Sequence, residues 1–227
     1  MIKLVLFDID GTLIDTGGAG ARAFERTSAT VFNRPRGTDH LSFCGATDSA
    51  LVREFFNKHE IEVTEERIDT FLSTYTFWLD YLLQRTDQGI CPGVWKWIRA
   101  IQRAQPAPVL GLLTGNTRLG AEIKLRHFRL WDIFEIGTFG CEAENRNDLA
   151  SLAREKANRR FDGNIKDEEI LVIGDTPKDI ECAAAINAPC LAVATGRPSI
   201  YELKSYQPRW TAENLNQADP LRILGLG

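Results

Sequence analysis

The segment Leu4-Val5-Leu6-Phe7-Asp8-Ile9-Asp10-Gly11-Thr12-Leu13 runs four apolar residues into two carboxylates spaced i, i+2, then a glycine and a threonine. A short continuous apolar run bounded by a turn signal fits a strand buried in a parallel sheet. Two carboxylates at the end of such a strand are costly unless a cation neutralises them. The segment therefore predicts a site that holds a metal and does chemistry.

Working outward, the chain alternates in a way that tests this reading. Residues 2–7 form the first strand. Asp15-Thr16-Gly17-Gly18-Ala19-Gly20 is turn-like, and residues 21–84 read as wholly helical. Within them Ile68, Phe71, Leu72, Tyr75, Leu79, Leu82 and Leu83 follow the helical period after Glu65 and Glu66 in a favourable first turn. Leu51, Val52, Phe55 and Phe56 mark a second helix, and Phe24, Val31 and Phe32 a third. Gly89-Ile90-Cys91-Pro92-Gly93 is a second hinge-like stretch. Helices then fall at 93–104, 117–128, 146–160 and 177–187. Strands fall at Val109–Leu113, Asp132–Ile136, Ile170–Ile173 and Cys190–Ala194. Short helices and an edge strand near Arg209–Thr211 are expected beyond.

Strand and helix taking turns implies a Rossmann-like α/β fold, a parallel sheet with helices on both faces. The helical module is inserted after the first strand. The expected division is a core of residues 1–15 and 90–227 and a helical cap of 16–89. Ligands in such sheets sit at the carboxyl ends of the strands, where Asp8 and Asp10 lie, so an insert leaving there would cover the site.

At 227 residues, 44% of them hydrophobic, the chain has enough apolar material for one large domain or a core with an insert. A net charge of -4 without any basic stretch argues against nucleic acid as a partner. The five cysteines, Cys44, Cys91, Cys141, Cys182 and Cys190, are scattered without a C-x-x-C, which fits reduced thiols. The N-terminal apolar run is too short for a signal peptide and no stretch is long enough to span a bilayer, so no membrane association and a cytoplasmic location are expected.

Three further strand ends carry chemistry-bearing residues. In Leu113-Thr114-Gly115-Asn116 a hydroxyl and small residues meet a helix N-terminus, which suits a phosphate; capping of that helix by Thr114 or Asn116 is the alternative. In Gly174-Asp175-Thr176-Pro177-Lys178-Asp179, Thr176 can cap and Pro177 suits the first helical position. Helix capping accounts for Asp179 but not for Asp175, which precedes the cap at a buried strand end. In Glu144-Asn145-Arg146-Asn147-Asp148, Arg146 could reach the centre as a fixed cation or lie in a solvated turn. Two partial motifs fail. A calcium loop starting at Asp8 would need glycine where Leu13 stands and glutamate where Ala19 stands. Gly18-x-Gly20-x-x-Ala23 lies too far past the strand for a dinucleotide fingerprint.

Together these motifs resemble the haloacid-dehalogenase-like hydrolase superfamily, in particular its phosphoglycolate-phosphatase-like members with a helical cap. Asp8-Ile9-Asp10-Gly11-Thr12 matches the first motif, the strand ending in Thr114 the second, and Gly174 to Asp179 the fourth. The third motif normally supplies a lysine; Arg146 stands at a suitable place, with Lys156 as the fallback. The resemblance implies that Asp8 is a nucleophile that takes the phosphoryl group and Asp10 the general acid/base. It implies a Mg²⁺ ion held by Asp8, the Asp10 carbonyl, Asp175 and Asp179, with Thr114, Gly115 and Arg146 on the phosphoryl oxygens. Asp10 separates the phosphatase branch from the dehalogenase branch, which lacks that residue. Gly45-Ala46-Thr47-Asp48 resembles a cap loop that faces the site, with Ala46 where an arginine is often found; His40 and Arg53 are further possible cap contacts. The expected protein is a Mg²⁺-dependent phosphatase of a small phosphomonoester metabolite, phosphoglycolate-like, working as a monomer or weak homodimer. A phosphomutase with the same centre, or a non-catalytic binding protein, are the alternatives.

Overall fold

A computed structural model of the protein describes residues 1–226. Among them, six strands form one sheet: β1 (Leu4–Phe7), β2 (Val109–Thr114), β3 (Ile136–Phe139), β4 (Ile170–Gly174), β5 (Cys190–Val193) and β6 (Trp210–Ala212). Their spatial order is β3-β2-β1-β4-β5-β6, and every pair is parallel. All four β1 residues are buried, as a central strand covered on both faces requires. Alternate side chains go to opposite faces. Val5 and Phe7 join the apolar cluster built on Trp97, Ile98 and Ile101; Leu4 and Leu6 join the one built on Leu149, Ala153 and Ile180.

The helices of the sheet layer are α4 (Val94–Arg103), α5 (Arg118–His127), α6 (Arg146–Arg160), α7 (Pro177–Ala185), α8 (Ile200–Ser205) and α9 (Pro220–Leu224). They follow α1 (Ala19–Phe32), α2 (Asp48–Lys58) and α3 (Glu65–Leu83), which lie between β1 and α4 in the chain. These first three helices bury a third apolar cluster around Phe24, Phe55, Phe56, Phe71 and Tyr75. The aromatic stripe of α3 is thus mainly packing, with Phe24 and Phe71 ring centroids 5.1 Å apart and Phe24 and Tyr75 4.7 Å apart. The two passages between sheet and insert run side by side. Asp15 N–H donates to the Gly89 carbonyl at 2.8 Å and Cys91 N–H to the Leu13 carbonyl at 3.0 Å.

One expected strand is misplaced. Asp132–Ile136 is not a strand: Trp131–Ile133 forms a single 3₁₀ turn and β3 begins at Ile136. Register explains the shift. Gly111 pairs with Ile136 and Thr114 with Phe139, so β3 must run on to the carboxyl edge that β2 reaches. The apolar Ile133 and Phe134 instead pack against the core from the turn.

Candidate active site

The order of the sheet reverses at β1: the chain moves outward through β2 and β3, then returns to β4 on the other side. Carboxyl ends flanking such a reversal form a crevice. Asp8 follows β1 directly, its N–H donating to the Ile173 carbonyl at 2.9 Å, and Asp175 follows β4. The β1 turn then closes through Leu13 N–H to the Ile9 carbonyl at 2.9 Å. Gly11 has φ +80°, and a Cβ there would fall on the Asp175 carboxyl carbon at 2.7 Å. The turn therefore requires glycine, both for its backbone and for the approach of Asp175. Thr12 donates to Asp175 Oδ1 at 2.9 Å, fixing the carboxylate.

Asp179 comes from the first turn of α7, where it does two things at once. Its Oδ2 accepts from the Thr176 N–H at 3.0 Å and hydroxyl at 2.7 Å, which closes the helix cap. Its Oδ1 accepts from Arg146. Oxygens of Asp8, Asp175 and Asp179 all lie within 4.8 Å of one another, and all three residues are buried. The guanidinium of Arg146, buried at the start of α6, lies 3.1 Å from Asp8 Oδ1 and also pairs with Asp179. Lys156, the fallback, points elsewhere: it holds Glu142 at 2.6 Å and the Gly137 carbonyl at 2.7 Å.

Three carboxylates against one guanidinium leave an excess of two negative charges. The cluster is correspondingly strained in charge. Burial pushes the Asp8 carboxyl up to about 6 against the pull of Arg146, with Asp179 and Asp10 adding to the rise. Burial, then Asp179 and Asp8, hold Asp175 well above the usual carboxylate range. Burial works against the charge of Arg146, but Asp179 and Asp8 outweigh it and raise its pKa above the ordinary value. An all-oxygen cluster with this excess fits a hard divalent cation.

The Asp10 side chain lies outside this cluster. Its Oδ2 accepts from Asn116 Nδ2 at 2.8 Å and from the Lys124 ammonium at 2.6 Å. Thr114 is fully buried and accepts from Asn116 Nδ2 at 2.9 Å, while the cap of α5 is Thr117, whose hydroxyl accepts from Gly120 N–H at 3.3 Å. The capping alternative for Thr114 and Asn116 thus falls away, and both face the crevice.

The insert closes over these strand ends. Asp48 N–H donates to the Gly115 carbonyl at 2.8 Å, and its carboxylate accepts from Thr117 N–H at 2.8 Å. The Thr47 hydroxyl donates to the Glu144 carbonyl at 2.9 Å. A Cβ on Gly115 would strike the Ala46 carbonyl, so this close approach needs glycine. Beneath lies a cavity of about 380 Å³ lined by Asp8, Asp10, Thr114, Gly115, Arg146 and Asp175 from the sheet side, and by Phe24, Phe43, Asp48 and Tyr75 from the insert. Arg53 pairs with Glu144 on the outside of the junction, and exposed His40 meets the His59 ring edge-on; neither lines the cavity. Sequence reasoning missed Lys124. It sits on α5 with Arg126 and His127, where basic residues serve the helix terminus, but unlike them it is buried, held by Asp10 and Asn116 beside Gly20 of the insert.

The family model for haloacid dehalogenase-like hydrolases matches residues 5–193. The chain belongs to the haloacid dehalogenase-like hydrolase family. Among curated relatives of the family, a pyrophosphatase PpaX from Bacillus cereus (strain B4264) is 25% identical over 221 residues, covering 97% of this chain and 96% of that protein. The fold is shared with CbbY from Rhodobacter sphaeroides in complex with phosphate (19% identity, TM-score 0.76, 100% of both chains). It is shared too with a predicted phosphoglycolate phosphatase from Haemophilus somnus 129PT (20% identity, TM-score 0.73, 98% of this chain and 97% of that one). Among the described residues no helix is long and apolar enough to cross a membrane.

Proposed function

We propose that this haloacid dehalogenase-like phosphatase hydrolyses a small phosphomonoester metabolite through an aspartyl phosphate on Asp8, with Mg²⁺ as cofactor. The observation that carries the reading is the meeting of Asp8, Asp175 and Asp179 within 4.8 Å, with Asp8 and Asp175 on the wall of a cavity that Asp10 and Arg146 also line. Asp8, Asp175, Asp179 and the Asp10 carbonyl would hold the ion; when bound it supplies the positive charge that lets an anionic nucleophile meet an anionic phosphate.

The chain's own groups do the rest. Arg146 orients Asp8 through their 3.1 Å contact and offers its remaining donors to the phosphoryl oxygens. The buried Nε of Arg146 has no hydrogen-bond partner among the described residues. Thr114 and the Gly115 N–H add neutral donors where charge spreads over the transferred group. Asp8 forms its bond to phosphorus as the ester bond breaks, and Asp10 gives the leaving oxygen a proton. Asp10 then takes a proton from the water that releases phosphate. Residues 16–89 act as a cap on a core of residues 1–15 and 90–227, excluding bulk water from the cavity.

The wall contributed by the insert is apolar, hydroxylic or acidic, and among the described residues it carries no lysine or arginine. That disfavours a mutase whose second phosphate is held by the insert. The test is release of free phosphate from a panel of phosphorylated metabolites, pyrophosphate and phosphoglycolate included, with Mg²⁺ and with EDTA. Phosphate release confined to the Mg²⁺ arm is expected. Isomerisation of a sugar monophosphate without free phosphate, or no turnover of any compound, would contradict the reading.

A further inference from the structure

Lys124 is 3% exposed, whereas its neighbours Arg126 and His127 on the last turn of α5 are exposed. A role at the helix terminus needs no burial, and burying a lysine is costly without partners. Its ammonium has two, Asp10 Oδ2 and Asn116 Oδ1, each at 2.6 Å. Asn116 in turn donates to the same Asp10 oxygen at 2.8 Å and to the Thr114 hydroxyl at 2.9 Å. The three side chains close a ring that ties down one oxygen of Asp10 and leaves Oδ1 for the reacting ester.

We infer that Lys124 is the positioning residue for Asp10, fixing its carboxyl so that Oδ1 delivers the proton to the leaving oxygen. This rests on the reading of Asp10 as the general acid/base. The groups around the ammonium are Asp10 and Asn116 from the sheet side and, on the insert, Asp48, whose carboxyl feels the lysine charge, and Tyr75 below Gly20. Lys124 neither gains nor loses a proton in the step. As the Asp8–phosphorus bond forms, the electron pair of the broken ester bond goes to the leaving oxygen, and that oxygen takes the proton from Asp10.

Leaving-group dependence separates positioning from general charge support. An alkyl phosphate needs protonation of its leaving oxygen, whereas 4-nitrophenyl phosphate departs as a stable phenolate. kcat/KM is the quantity to compare, because it excludes the later hydrolysis of the aspartyl phosphate. Lys124→Met is expected to lower kcat/KM about 100-fold for the alkyl ester and less than about 10-fold for the nitrophenyl ester. Lys124→Arg should recover part of the alkyl loss, since it restores a charged donor. Equal losses for the two esters, or no loss, would overturn the assignment. If thermal melting shows Lys124→Met to be unfolded, Lys124→Gln carries the same comparison. Wild-type protein that turns over neither ester would overturn the phosphatase reading as well; parallel losses in a variant overturn this inference alone.

Discussion

Replacing Arg146 with methionine removes the one guanidinium that faces both Asp8 and Asp179. The cluster then keeps three buried carboxylates with oxygens within 4.8 Å and no buried arginine among them. Removing one partner of a buried pair costs about 3–5 kcal/mol, because the remaining charge stays desolvated. For a chain of this size that corresponds to a fall in Tm of roughly 10 °C in EDTA. Loss of a charged donor to the phosphoryl oxygens should lower kcat by about 10² to 10³. Lys156→Met is the control. Lys156 binds Glu142 and a main-chain carbonyl beside β3, partly in solvent, so its loss should cost about 1 kcal/mol at most and leave turnover unchanged. Thermal melts in EDTA and steady-state phosphate release on both variants give the comparison. The reasoning is refuted if Lys156→Met matches the losses, or if Arg146→Met turns over within about threefold of wild type.

Asp48 gives a pH prediction. Burial raises its carboxyl from 3.8 to about 6, against the opposing effects of Lys124 and the Thr117 N–H. A raised folded pKa means the folded state holds the proton more tightly. The stabilisation is complete below pH 3.8 and is lost as pH rises through about 6, a change of about 3 kcal/mol. Asp48→Asn keeps an acceptor for Thr117 and should gain about that much stability over wild type between pH 4 and pH 7.5, read from urea midpoints in EDTA; a constant difference across that range would be contrary. Arg197 lines the cavity and has no ion-pair partner among the described residues. Arg197→Ala should raise KM about 10-fold for a substrate with a second anionic group, with kcat little changed; an unchanged KM would place Arg197 away from the substrate.

The apolar run before Asp8 placed β1 at the sheet centre because a strand covered on both faces has little choice but to be apolar throughout. Asp175 was legible for a related reason: no helix-capping role accounts for an acid at a buried strand end. Arg146 could be preferred to Lys156 because it opens α6 beside the strand ends, whereas Lys156 lies deeper in the helix. The placement of β3 failed because Ile133 and Phe134 have the same apolar signal in a 3₁₀ turn as in a strand, and only pairing with β2 distinguishes them. Lys124 was not legible as a site group, and for Asp48 the resemblance marked only its loop, not the buried carboxylate. Each is made special by burial at the junction of insert and sheet, a contact between segments far apart in the chain.

The central claim is that Asp8 carries the phosphoryl group. The direct measurement is rapid acid quench of protein turning over a phosphomonoester with Mg²⁺, reduction of any acyl phosphate with borohydride, and peptide mass mapping. The account predicts conversion of the Asp8 side chain to the corresponding alcohol, confined to that residue and absent from Asp8→Asn. Reduction at another carboxylate, or wild-type turnover by Asp8→Asn, would contradict it.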